Sequence, residues 1–291
     1  MVRSQLIPLV IAGPTASGKS SLAIKLAQKH QGEIICADSR QFYSYMAIGT
    51  ASPTKADMAI VPHHGYGIID PKVEKIDAGF FVSFAHQKIS EIQSRNKRPI
   101  LVGGTGLYLR SLYYGLGDIP PSDEKIAKDL SDRCEKQGLD ALYQELSKID
   151  PDSALNIMAQ DRYRILRALE IFYTTNQKPS DLRASFKSKK PAISAHWIYK
   201  KPPKESLLVN IEKRVKEMFA EGLLDEAKNL AEYLPEGHWA RKVMGYEEAL
   251  LFLNKEITIA EALEKTIIRH RQYAKRQYTW FNKESFYRLI L

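Results

Sequence analysis

The apolar run LIPLVIA at 6–12 leads without a break into GPTASGKS at 13–20. No other stretch constrains the fold as much. A continuous apolar run of this length has the pattern of a parallel strand buried on both faces. The loop satisfies G-x-x-x-x-G-K-[ST], and Leu22, Ala23, Leu26 and Ala27 follow at one-face helical spacing. Strand, glycine-rich loop and helix in that order open an α/β sheet. The residue types suit phosphate: glycines let backbone amides wrap its oxygens, the helix N-terminus adds positive potential, and a lysine neutralises the distal group. The expected diphosphate contacts are Gly13, Thr15, Ala16, Ser17, Gly18, Lys19 and Ser20, with Ser20 as ligand to Mg²⁺.

Similar apolar runs recur at EIICA (33–37) and PILVG (99–103), and helical patterns lie between them, as in Phe80, Phe81, Phe84 and Ala85 before Ile92. Strand and helix alternate, which indicates a parallel α/β sheet flanked by helices. From about Asp118 the texture changes: the PPSD turn at 120–123 opens a helical stretch that runs to KSKKPAIS at 187–194. The expected organisation is a core domain of 1–117 and 195–291 interrupted by a helical insertion, 118–194. AHWIYKK (195–201) reads as a strand rejoining the sheet, followed by helices at 205–220, 223–233, 241–253 and 258–281.

With 291 residues and 44% hydrophobic content, the chain can bury a sizeable core. Lys and Arg number 43 against 34 Asp and Glu, a surplus of +9 that suits an anionic partner. Cys36 and Cys134 lie far apart without CxxC spacing, so neither a disulfide framework nor a zinc site is encoded, and a reducing cytoplasm fits. No apolar stretch reaches the length of a membrane span.

A phosphate loop alone does not separate kinase, NTPase and other chemistry. Asp38 follows the EIICA strand at its carboxyl end, the edge where open α/β sheets bind ligands. A carboxylate there suits a general base or a ligand to Mg²⁺, and equally a turn cap. His63 and His64 invite a metal reading, but adjacent side chains diverge and no third ligand is evident. Cys36 reads as a small core residue.

Five segments resemble one family, the tRNA dimethylallyltransferases, also called tRNA isopentenyltransferases: GPTASGKS at 13, ADSRQFYSYMAIGTASPT at 37, PILVGGTGLYLRSL at 99, DRYRILRALEIF at 161 and RQYAKRQYTWF at 271. Shorter echoes occur at HHG around 63, IEKRVKEMFAEG at 211 and VMGYEEAL at 243. Together they span nearly the whole chain in order. The resemblance implies a P-loop NTPase-like fold, built like a nucleotide kinase, whose loop holds dimethylallyl diphosphate. It implies transfer of the dimethylallyl group to the N6 amine of the adenosine 3′ of the anticodon, with Mg²⁺; a monomer is expected. By the same resemblance Asp38 is the base. Lys19 and Arg214 stabilise the departing diphosphate, and Thr105 positions adenine or bridges to the diphosphate. Ser39, Arg40 and Gln41 read the flipped base alongside Asp38 and Thr105, and the helix 161–173, with Arg162, Tyr163, Arg164 and Arg167, touches the anticodon stem-loop. Without the resemblance, Arg214 sits on a solvated charged face, Thr105 caps a helix, and Arg167 is an ion-paired residue beside a core stripe.

After residue 264, Lys265, Arg269, Arg271, Lys275, Arg276, Lys283 and Arg288 face only Glu284, interleaved with Tyr273, Tyr278, Trp280 and Phe281. Basic and aromatic residues together suit RNA. The spacing of Tyr273, Gln277, Trp280 and Phe281 also suits packing on the core. The competing functions are an adenylate isopentenyltransferase acting on free AMP or ADP, a small-molecule kinase that uses the insertion as a lid, and a non-catalytic RNA-binding module.

Overall fold

A computed structural model describes residues 6–73, 76–117, 119–186, 191–287 and 289–291. Its sheet contains β1 (Leu9–Ala12), β2 (Gly32–Cys36), β3 (His63–His64), β4 (Arg98–Gly103), β5 (His196–Tyr199) and β6 (Leu289–Ile290). Every pairing is parallel, in the order β3-β2-β4-β1-β5-β6. The strand expected at 6–12 is shorter: only Leu9–Ala12 pairs on both sides, with β4 and β5. Arg288 and the KSKK stretch expected to close the insertion at 187–190 lie outside the described residues.

Helices α1 (Lys19–His30), α2 (Lys55–Ile60) and α3 (Ala78–Ser94) fall between the first four strands, and α4 (Gly106–Tyr114) follows β4. Leu9, Ile11, Ile34, Ile100, Val102 and Ile198 of the sheet pack with Ala23 and Ala27 of α1. Val10, Ile35 and Leu101, which alternate with them, are fully buried too, and α3 packs on β2 and β4. Burial on both faces explains why these strands read as continuous apolar runs.

The chain separates into two compact units, Met1–Arg110 with Ser194–Leu291, and Ser111–Ile193. The second unit holds α5 (Glu124–Gln137), α6 (Leu139–Ile149), α7 (Pro151–Asn156), α8 (Arg162–Thr175) and α9 (Pro179–Phe186). Its core gathers Leu130, Leu142, Leu146, Ile165 and Leu169 around Cys134. Asp150, fully buried, accepts the N–H groups of Ser153 (3.0 Å) and Ser180 (2.8 Å), which ties the start of α7 to α9.

The first unit closes with α10 (Lys204–Ala220), α11 (Leu223–Tyr233), α12 (Tyr246–Leu253) and α13 (Ile259–Phe281). A helix expected from 241 starts only at Tyr246, after a 3-10 turn at Trp239–Lys242. Gly245, at φ 90°, breaks the helical path, and its N–H is taken by the Glu248 carboxylate at 2.8 Å, so helix cannot extend backwards through it. β3 was not anticipated. His64 meets Glu33 at 2.7 Å and His63 meets the Val61 carbonyl at 2.8 Å, so both imidazoles serve the sheet edge.

Candidate active site

Three loops leave the carboxyl ends of β1, β4 and β2, which are neighbours in that order. The first is the glycine-rich loop. A Cβ on Gly13 would lie 2.7 Å from the Lys200 carbonyl and 2.8 Å from Ser17 Oγ, so the close passage of β5's continuation requires glycine. Ala16 (φ 60°) and Gly18 (φ 80°) turn the chain through left-handed conformations. Gly18 offers no side-chain cap to α1, so the first-turn N–H groups remain directed at the loop. Ser17 Oγ is buried without a hydrogen-bond partner among the described residues.

Two cations converge here. Lys19 Nζ lies 3.2 Å from the Pro14 carbonyl, and its desolvation pulls its pKa down to about 8, against the attraction of Asp38 and with the repulsion of Arg214. Arg214, on α10, reaches Thr15 Oγ1 at 3.4 Å, and burial lowers its pKa too. Desolvated cations, an unpartnered hydroxyl and the N-terminus of α1 together form a receptor for a multiply charged oxyanion. Ser20 is exposed at the second position of α1, and no group of three His, Cys, Asp or Glu side chains able to hold a metal occurs among the described residues. That donor set fits a hard cation held largely by phosphate oxygens and water, the habit of Mg²⁺.

The β2 and β4 loops are bound to each other. Ala37 N–H donates to the Val102 carbonyl (2.8 Å) and Thr105 N–H to the Ala37 carbonyl (3.4 Å), while a Cβ on Gly103 would collide with Ala37. Thr105 Oγ1 accepts the Ser39 N–H at 2.9 Å, and Asp38 Oδ1 accepts the Arg40 N–H at 3.0 Å. Asp38 therefore uses one oxygen to close its own turn, the capping role open from sequence, while its half-buried carboxylate stays within electrostatic reach of Lys19. Thr105 holds the Asp38 loop in addition to leading into α4.

Gln41 Nε2 donates to the carbonyls of Thr50 (2.9 Å) and Ala51 (2.8 Å), which fixes the amide and leaves Oε1 as its remaining acceptor. The Arg40 guanidinium lies 4.6 Å above the Trp239 ring, itself 4.7 Å from Tyr43. Farther along the loop, the Glu226 carboxylate accepts the N–H groups of Ala47 (2.8 Å), Ile48 (2.9 Å) and Gly49 (2.9 Å) and the Tyr246 hydroxyl (2.6 Å).

Several contributors were not assigned to the site from sequence, where Tyr273 and Gln277 figured only in the pattern of the C-terminal helix. Tyr66, Tyr108 and Tyr273 all feel the Asp38 charge, and burial first, then Asp38 among the nearby charges, pushes their phenols above the ordinary range. Gln277, 5% exposed, accepts the Thr15 N–H at 2.8 Å and donates to the Gly104 carbonyl at 2.9 Å. One signal could have found it. The buried stripe of α13 runs Ala262, Thr266, His270, Ala274, Gln277, Phe281, and an amide on a core stripe must meet a specific partner.

Three further candidates, Tyr163, Arg164 and Arg167, belong to the helical unit. Tyr163 is 78% exposed at the start of α8, and Arg164, also exposed, meets Asp161 at 3.3 Å. Arg167 differs: it pairs with buried Glu170 at 2.7 Å and donates to the Pro120 carbonyl at 2.5 Å, while Glu170 also accepts Ser122 Oγ and the Asp123 N–H, each at 2.7 Å. The alternative reading of Arg167, an ion-paired residue beside a core stripe, is the arrangement found. Arg269 is likewise engaged, with Glu248 at 2.6 Å and the Lys242 carbonyl at 2.9 Å.

This arrangement has known counterparts. The family model described as IPP transferase matches residues 41–284, and that described as isopentenyl transferase matches residues 7–63. The chain belongs to the IPP transferase family. A tRNA dimethylallyltransferase from a species of Anaeromyxobacter is 41% identical over 95% of this chain and 91% of its own length. One from Geobacter metallireducens is 40% identical over 95% of this chain and 90% of its own. The crystal structure of the full-length tRNA isopentenylpyrophosphate transferase from Bacillus halodurans superposes with TM-score 0.67 at 35% identity, covering 97% of this chain and 89% of that one. A eukaryotic dimethylallyltransferase acting on tRNA gives TM-score 0.79 at 34% identity, covering 94% of this chain and 69% of that one. The fold is thus the P-loop NTPase-like fold of the IPP transferases, and the chain is a prenyltransferase.

Proposed function

We propose that this enzyme transfers the dimethylallyl group of dimethylallyl diphosphate to the N6 amine of the adenosine 3′ of the anticodon in tRNA, releasing diphosphate. The observation that carries this reading is the placement of a desolvated cation pair, Lys19 and Arg214, at the same sheet edge as the Asp38 carboxylate. A new bond joins the amine nitrogen to the first allyl carbon while the bond from that carbon to diphosphate oxygen breaks, its electron pair leaving with diphosphate. Asp38 takes the amine proton. Negative charge accumulates on the leaving group, so Lys19, Arg214 and the loop amides stabilise the transition state more than the ground state. Ser20 would hold Mg²⁺, which when bound supplies further neutralisation of the diphosphate.

Gln41 Oε1, Ser39, Arg40 and Thr105 line the approach of the base. An adenine stacked in an anticodon loop must leave the stack to reach them. In the helical unit, exposed Tyr163 and Arg164 offer a stacking face and a phosphate contact, and we place Arg167 in support of them. The enzyme works as a cytoplasmic monomer in this reading, and no described helix is long and apolar enough to cross a membrane.

The test is to incubate the protein with Mg²⁺, dimethylallyl diphosphate and unmodified tRNA, and to weigh the digested nucleosides. Adenosine gaining a five-carbon unit supports the reading. Prenylation of free AMP with tRNA left unmodified, or transfer of phosphate from ATP to a small acceptor, would replace it.

A further inference from the structure

Nucleophile and electrophile reach the reacting distance only if three loops keep their register beyond the end of the sheet. The backbone ladder between β1 and β4 stops at Ala12 and Gly103, and that between β2 and β4 at Cys36 and Val102. Past those pairs, the β4 loop lies between the diphosphate loop and the Asp38 loop. On the Asp38 side, Thr105 continues the connection, its N–H donating to the Ala37 carbonyl and its Oγ1 accepting the Ser39 N–H. On the diphosphate side, the hydrogen-bonded connection among the described residues is one buried amide, Gln277, which holds the Thr15 N–H and the Gly104 carbonyl at once.

The fit is close. A Cβ on Gly104 would collide with Gln277 Nε2 and lie 3.2 Å from the Gly13 carbonyl, so two backbones and one side-chain amide meet with no room between them. Both hydrogen bonds are directional, with Oε1 accepting and Nε2 donating, so the amide has one orientation. One turn further along α13, Trp280 lies where a Cβ on Gly106 would collide with its indole, which fixes the far side of the same loop.

From this geometry we infer that Gln277 is a positioning residue for the transfer: it sets the distance between the loop that holds the leaving group and the loops that carry Thr105 and Asp38. It touches neither substrate. This inference rests on the proposed prenyl transfer. Its effect should fall on the chemical step, because a displacement of about 1 Å between reacting groups costs on the order of 100-fold in rate.

The experiment uses the full chain, an anticodon stem-loop RNA, dimethylallyl diphosphate and Mg²⁺, with Gln277→Met (similar volume, neither hydrogen bond) and Gln277→Glu (acceptor kept, donor lost). Single-turnover transfer by Gln277→Met is expected to fall about 100-fold while affinities for inorganic diphosphate and for the RNA change by no more than about twofold. The share of donor recovered as dimethylallyl alcohol should rise, since water then takes the allyl carbon in place of the amine, the carbon–diphosphate bond breaking and a proton passing to solvent. For Gln277→Glu, the rate relative to wild type should climb as pH falls, because a protonated carboxyl regains a donor for the Gly104 carbonyl. Wild-type transfer by Gln277→Met, or a rate loss in both variants that tracks lost diphosphate affinity and lowered Tm without a pH-dependent recovery, would overturn the inference. Failure of the wild type itself to prenylate the RNA would instead overturn the proposed function.

Discussion

Two sets of basic residues, one around the glycine-rich loop and one on α8, are treated very differently by the fold. Lys19 and Arg214 are desolvated, lie close enough to repel each other, and have the Asp38 carboxylate as a nearby counter-charge to Lys19. On α8, Arg164 is exposed beside Asp161, and Arg167 is consumed by Glu170 and a carbonyl. The first set stores unfavourable electrostatics that a bound oxyanion would relieve. The second has already spent its charge on neighbours or on water. A positive charge count is therefore a poor guide to function, and the environment of each charge decides.

The sharpest way to break this contrast is at the acid–base centre. Asp38→Ala should lower single-turnover transfer about 1,000-fold while leaving diphosphate and RNA affinity largely intact. Unchanged turnover would remove Asp38 as the base and leave it only the Arg40 turn.

The pH dependence of diphosphate affinity tests the desolvated lysine. Lys19 in the free enzyme loses its proton around pH 8, so calorimetric affinity should be level below that point and fall above it, by at most about tenfold per pH unit, with proton uptake on binding. Lys19→Arg should flatten the profile. A profile already flat in the wild type would mean that the loop does not desolvate its cation.

Smaller effects separate Arg164 from Arg167 on α8. Arg167→Ala strands the buried Glu170 carboxylate and should cost the chain about 2 kcal/mol of stability, seen in denaturant unfolding. Arg164→Ala should leave stability unchanged and reduce the slope of log affinity against log salt for RNA by about 1. If Arg167→Ala instead changed the salt slope with no loss of stability, the division between spent and available charge would fail on this helix.

What the sequence made legible follows from how local each feature is. The diphosphate loop, β2, β4 and α13 are contiguous patterns whose physics acts within a few residues. β3 and β6 are two residues each, too short for any periodicity. Asp38 could be placed at the correct sheet edge, but the share of its carboxylate taken by Arg40 is a matter of turn geometry. Arg214 stood out only through the resemblance of IEKRVKEMFAEG at 211, because its neighbours Lys213 and Lys216 make an ordinary charged face and its burial depends on the folded approach of α10 to Thr15. Gln277 meets Thr15 across 262 positions, and only its place on a buried stripe hinted at a task. The division of the arginines on α8 depends on Glu170, whose burial no charge pattern reveals.

The glycines of VGGTGLY have an evolutionary consequence. Gly104 and Gly106 are keyholes cut to the shape of Gln277 and Trp280. A larger residue in either keyhole is barred while its key is present, and a different key fits poorly while the hole is unchanged. Each pair can drift only by changing both members, through an intermediate that is worse than either end. Within this chain, the two glycines and the amide and indole that fill them form one matched unit, written in two places far apart in the sequence.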